Sequence, residues 1–150
     1  MLLVFGGESG GKATNQMLSH DPEFEVWYEA VDRGHRPSAR LGHTATLHAA
    51  NGRGAKLLVW GGVLGGGRRF AEPELHELHI GADWAWKRVL AGGAPTPPRA
   101  AARPAFPRPH SRPCAGKPPF GRAYHSATRL SGGRVLVFGG NDGDKSFRKP

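Results

Sequence analysis

One hexapeptide occurs three times in this chain: LLVFGG at residues 2–7, LLVWGG at 57–62 and VLVFGG at 135–140. A short apolar run that ends on Gly-Gly reads as a strand closed by a turn. It is too short for a helix, and glycine accepts the positive φ that a tight turn demands. Three copies at long intervals constrain the fold more than any other feature. Each marks one supersecondary unit, and such units bury their apolar faces against one another rather than alone.

Other landmarks keep the same order. Arg40-Leu41-Gly42-His43 stands before the second copy and Arg122-Ala123-Tyr124-His125 before the third, each His followed by a hydroxyl residue. Trp27, Gly34 and Arg40 follow the first copy; Trp86, Gly93 and Arg99 follow the second, each 59 residues further on. The first two Gly pairs are 55 apart, so the second unit holds four extra residues between its Gly pair and its Trp. Asn51-Gly52-Arg53-Gly54 reads as a lengthened hairpin turn between two strands.

After Arg99 the expected His is missing, and the pattern resumes only at Arg122, across a segment of different composition. Residues 92–121 hold nine of the 13 prolines, the bases Arg99, Arg103, Arg108, Arg112 and Lys117, and no acid. More than half of the +9 net charge therefore sits in this segment. Proline every few residues forbids helix and inner strand, so the stretch reads as a flexible, polyproline-II-like insertion between two units. The remaining sequence reads as β: firm strands at 2–5, 56–60 and 134–138, weaker ones at 16–20, 26–31, 42–47, 74–80, 84–90 and 124–130.

The ordered set of Arg-x-x-His-(Ser/Thr), three apolar residues and an aromatic or apolar one before Gly-Gly, then a spaced Trp, Gly and Pro, resembles the kelch repeat. The resemblance covers nearly all of the chain outside the insertion. It implies an all-β fold, a partial kelch β-propeller of four-stranded antiparallel blades. The parts would be a partial blade at 1–35, a blade at 36–91, the insertion at 92–121 and a partial blade at 122–150. The resemblance makes Gly6, Gly7, Trp27, Arg40, His43, Gly61, Gly62, Trp86, Arg122, His125, Gly139 and Gly140 structural landmarks. On it, Trp86 fills space between blades, and His43 and His125 hydrogen-bond neighbouring backbone. Closed propellers have roughly four to eight blades and this chain supplies about two and a half. The expectation is a fragment of a longer kelch protein that supplies the missing blades; self-association to complete a ring is the alternative.

The resemblance also implies function: a non-enzymatic scaffold or adaptor without cofactor, binding an unidentified protein partner through loops. The loop residues it singles out are Glu8, Lys12, Arg68, Arg69, Phe70 and Asp142.

Competing chemistries each lack a required residue. Gly6 to Lys12 fits G-x-x-x-x-G-K after a strand, the pattern of a nucleotide-binding hydrolase. Yet Ala13 stands where Mg²⁺ needs a hydroxyl, and His20-Asp21-Pro22 interrupts the helix that should follow. His110, Cys114 and His125 fit no common zinc spacing, and His76 and His79, three apart, point to opposite faces of a strand. No G-x-S-x-G elbow is present, and Tyr28, Tyr124 and Cys114 lack the context of a propeller copper oxidase. Nucleic-acid binding would rest on the basic insertion, where Phe106 alone offers stacking. The Pro-x-x-Pro matches, at Pro95 to Pro98 and Pro104 to Pro107, follow from its proline content. One cysteine, no apolar run near 18 residues and no cationic leader place the chain in the cytoplasm, or the nucleus, away from membranes.

Overall fold

The computed structural model describes residues 1–49, 54–65, 71, 74–89 and 121–141. The insertion up to residue 120, and Arg68, Arg69, Phe70 and Asp142, lie outside the described residues. In chain order the strands are β1 (Leu2–Phe5), β2 (Glu8–Ser9), β3 (Lys12–Ala13), β4 (Met17–Asp21), β5 (Val26–Glu29), β6 (Asp32–Gly34) and β7 (Arg40–Leu41). They continue with β8 (Thr44–Ala49), β9 (Ala55–Trp60), β10 (Val63–Leu64), β11 (Leu75–Ile80), β12 (Trp84–Val89), β13 (Ala123–Arg129) and β14 (Val135–Asn141). One 3-10 turn, Ser131–Gly133, joins the last two. All nine expected strands are present, their ends moved by three residues at most. No helix among the described residues is long and apolar enough to cross a membrane.

The middle unit is complete. β8, β9, β11 and β12 pair antiparallel in that spatial order. Before it stand β1, β4 and β5, paired in the same way; after it stands the β13–β14 hairpin. The fold is all-β, with several small antiparallel sheets and no closed one among the described residues, and it fits a partial β-propeller. Registers coincide across units: Trp60 faces Thr44 as Phe138 faces Ser126, and Trp60 faces Leu75 as Phe5 faces Met17. Of the four extra residues in the second unit, three fall between Gly62 and Leu75 and one in the turn before Trp86.

The core lies between the first two units. Period-2 alternation on β9 turns Leu57 and Val59 to one face and leaves Trp60 on the other. Leu57, Val59, Leu78 and Trp86 meet Phe5 and Met17 of the first unit. Each large apolar side chain buried there contributes about 1.5–3 kcal/mol.

One strand differs from expectation. The 26–31 run ends at Glu29, and Asp32–Gly34 forms a separate strand running parallel to β12 in the next unit. Val31, 94% exposed, is the point where the chain leaves one sheet for the other.

Candidate functional site

The repeat landmarks converge on the seams between units. The second glycine of the first two pairs donates its N–H to the carbonyl of the next unit's Arg: Gly7 to Arg40 at 2.9 Å and Gly62 to Arg122 at 2.8 Å. The guanidinium of that Arg turns back to its own unit. Arg40 donates to the Gly61 carbonyl at 3.0 Å, and Arg122 to the Gly139 carbonyl at 3.1 Å. The His three residues after the Arg stands edge-on to the aromatic before the preceding Gly pair. His43 meets Phe5 at 5.4 Å between centroids, and His125 meets Trp60 at 4.8 Å. Edge-to-face pairs of this kind add about 0.5–1.5 kcal/mol beyond burial.

Glycine is required here for a local reason. Gly61 has φ +70°, and a Cβ on it would overlap the Arg122 carbonyl and stand 2.6 Å from the His125 ring. Gly6, at φ +64°, meets His43 and the Arg40 carbonyl in the same manner. First glycines thus face the next unit, whereas the second glycines Gly62 and Gly140 face the His43 and His125 of their own.

Burial sets the histidines. It pushes the His43, His76 and His125 imidazoles below their usual value, with Arg40 adding to the effect at His43 and His76 and Arg122 at His125. The Phe5 backbone works against the shift at His43, whose buried Nδ1 has no hydrogen-bond partner among the described residues. His125 does not follow its counterpart: its Nε2 pairs with the Thr44 hydroxyl at 2.9 Å, because the inner strand of the preceding unit presents that side chain to it.

Trp86 fills the space between units, 5.1 Å from Phe5, with its indole N–H on Asp32 at 2.8 Å. Trp27 takes another position. It is half exposed and lies against His20 at 4.7 Å, since no described unit covers its face of the first sheet as the first sheet covers Trp86.

The first connection lies against the segment that enters the next unit. Asn15, before β4, reaches the Pro37 carbonyl, and Arg36 reaches the Asn15 carbonyl, each at 3.5 Å, so the β1–β4 connection lies on the segment leading into β7. Exposed Glu8 and Lys12 sit there on the β2–β3 hairpin. Gly10 and Gly11, both at positive φ, turn that hairpin in two residues. Residues 6–12 therefore do not cradle a phosphate at a helix start; a strand follows at Met17, and the nucleotide-hydrolase alternative has no support.

A cleft of about 340 Å³ is lined by Arg36, Arg40, Arg88, Glu74, His35 and His76. Arg36 pairs with Asp32 at 2.8 Å and Arg88 with Glu74 at 3.2 Å. His76 is buried with its Nδ1 unpartnered among the described residues, while His79, three residues on, is exposed. Among the described residues no group of three or more His, Cys, Asp or Glu could hold a metal ion. His110 and Cys114 lie outside the described residues, and Tyr28 and Tyr124 are exposed.

Two residues carry more than their sequence suggested. Asp32 binds Arg36 through Oδ1 and the Trp86 indole through Oδ2, its side chain almost fully buried. Tyr124 adopts φ +57° at the position where the second unit has Gly42 at φ +65°. Its N–H reaches the Gly42 carbonyl at 2.7 Å. The signal available in the sequence is the alignment of the two Arg-x-x-His motifs, which sets Tyr124 against Gly42.

The chain is similar to two rice proteins (Oryza sativa subsp. japonica). It is 31% identical to Adagio-like protein 1 over 142 residues, 89% of this chain and 20% of that protein. It is 30% identical to Putative adagio-like protein 2 over 142 residues, 89% of this chain and 19% of the other. The chain thus spans about a fifth of the length of the curated relatives it matches. No family model matches it.

Proposed function

We propose that this chain is a sector of a kelch-type propeller and acts as a protein-interaction module. The observation that carries the reading is the seam itself. Arg, His and Gly-Gly are consumed in joining one unit to the next, so they are structural and leave binding to the connections beside them. Similarity to the Adagio-like proteins supports this reading, as does the contact of the β1–β4 connection with the segment leading into β7.

On this reading a partner protein meets Glu8 and Lys12 on the hairpin, Arg36 and Arg88 at the cleft, and the loop holding Arg68, Arg69 and Phe70. The partner is cytoplasmic or nuclear, as is the chain, and no catalytic group is required.

Affinity capture from cell extract tests the proposal. Wild-type chain should retain a partner that the Glu8→Lys/Lys12→Glu and Arg68→Ala/Arg69→Ala pairs lose while unfolding at the same denaturant concentration. Equal capture by both pairs and by wild type would count against the loop face.

A further inference from the structure

The first and last described strands are the same strand twice, and each has half of what β9 has. β9 pairs with the inner strand β8 on one edge and with β11 on the other. β1 has the outward neighbour, β4; β14 has the inward neighbour, β13. The Gly pairs repeat this complementarity. Gly6 of β1's pair meets the next unit's Arg40 and His43, but a Cβ on Gly7 would have nothing within 4 Å among the described residues. Gly140 of β14's pair meets its own Ala123 and His125, but Gly139 has nothing within 4 Å among the described residues. What one strand lacks, the other possesses. Two large aromatics are stranded with them: Phe138 is 77% exposed and Trp27 51%.

We propose that β14 of one copy takes the place of β1 in a second copy, pairing with its β4, so that chains join head to tail. The blade so formed, β13–β14 followed by β4–β5, has the strand order that β8, β9, β11 and β12 show within one chain. Its register is inherited from β1: Phe138 opposite Met17, Val137 opposite Leu18, Leu136 opposite Ser19. Gly139 then faces Arg40 and His43 of the second copy, as Gly6 does within a chain. Phe138 meets that copy's His43 and Trp86, as Phe5 does. Trp27 of the second copy comes against Trp60 of the first, as Trp86 comes against Phe5.

The displaced β1, LLVFGG, is replaced by VLVFGG, so the apolar contacts to β4 are restored in kind. β1 leaves the core that β14 enters, so the joint gains by the added contact of β13 with β8 of the second copy, as the two lie together within one chain. The joint is heterologous and closes only as a ring. Each copy brings two blades' worth of strands, so closure at ordinary propeller size takes roughly two to four copies. The inference rests on the propeller-sector reading. A further Arg-x-x-His strand from a longer chain is the other occupant that the same two edges would accept.

The test is a cross-link between isotopically distinct chains. Unlabelled and ¹⁵N-labelled full chains carrying Leu18→Cys and Val137→Cys, with Cys114→Ser, are mixed and treated with a short bismaleimide. The exchange predicts a link from position 18 to position 137 joining a light chain to a heavy one, and sedimentation at multiples of 16.1 kDa. Phe138→Lys, at a position exposed within one chain, should return the wild-type assembly to monomer while the Leu57, Val59 and Leu78 amides stay protected from exchange. A wild-type monomer with those amides protected overturns the exchange and leaves the propeller-sector reading intact. So does an assembly linked elsewhere, or one that survives Phe138→Lys. Unprotected amides in the wild-type chain overturn both.

Discussion

Replacing Gly61 by alanine isolates the seam. Two effects act at this position. Alanine at φ +70° pays the left-handed backbone penalty of about 1–2 kcal/mol. Its Cβ would also overlap the Arg122 carbonyl and crowd the His125 ring, and overpacking of this kind costs about 1–3 kcal/mol. Gly132 supplies the control: it has the same φ of +70° in the turn before β14, and a Cβ there would meet nothing within 4 Å among the described residues. Gly132→Ala should therefore lose about 1–2 kcal/mol and Gly61→Ala about 2–5 kcal/mol. Urea unfolding followed by tryptophan fluorescence reads both, and the difference between them is the contact between units. Equal losses would refute the reasoning, since the backbone conformation alone would then explain both.

Three more outcomes follow from the same contacts. Asp32→Ala removes a buried acceptor shared by Arg36 and Trp86; it should cost about 3–5 kcal/mol, whereas Asp83→Ala, which breaks an exposed pair with Arg33, should change stability by less than about 1 kcal/mol. Denaturation midpoints would separate the two. His43, His76 and His125 are held below their usual value by burial, so the unfolded chain binds more protons and stability falls as pH drops through about 6.5. A chain equally stable at pH 5.5 and pH 8 would contradict that direction. Trp86→Phe should keep the ring against Phe5 but strand one Asp32 oxygen, costing about 1–3 kcal/mol; an unchanged midpoint would show that the indole hydrogen bond contributes nothing to stability.

The seams were legible in the sequence because every element of them recurs. Arg40, His43 and Gly61 could be aligned with Arg122, His125 and Gly139 before any contact was known. Where recurrence failed, so did the reading. The strand Asp32–Gly34 has no apolar alternation; it is held by Asp32 receiving the Trp86 indole N–H and by Gly34 allowing the backbone of Trp86 to approach. Trp27 shares its spacing with Trp86 but not its burial, since spacing marks a position on a strand and says nothing of what lies opposite. The loop face was legible only as the part left over once the repeat was subtracted. Lys12 looked like a phosphate ligand because the motif records residue types, whereas the two positive-φ glycines before it decide that the chain turns back as a hairpin.

Consecutive units meet at their Gly pairs, and a nuclear Overhauser measurement addresses that contact directly. Cross-peaks are expected from the Gly61 α-protons to the His125 ring, and from the His125 ring to the Trp60 ring, groups far apart in sequence but in contact across the seam. The equivalent peaks should join Gly6 and Phe5 to His43. A spectrum with strong β-sheet signals and neither set of cross-peaks would contradict the seam, leaving folded units that do not stack.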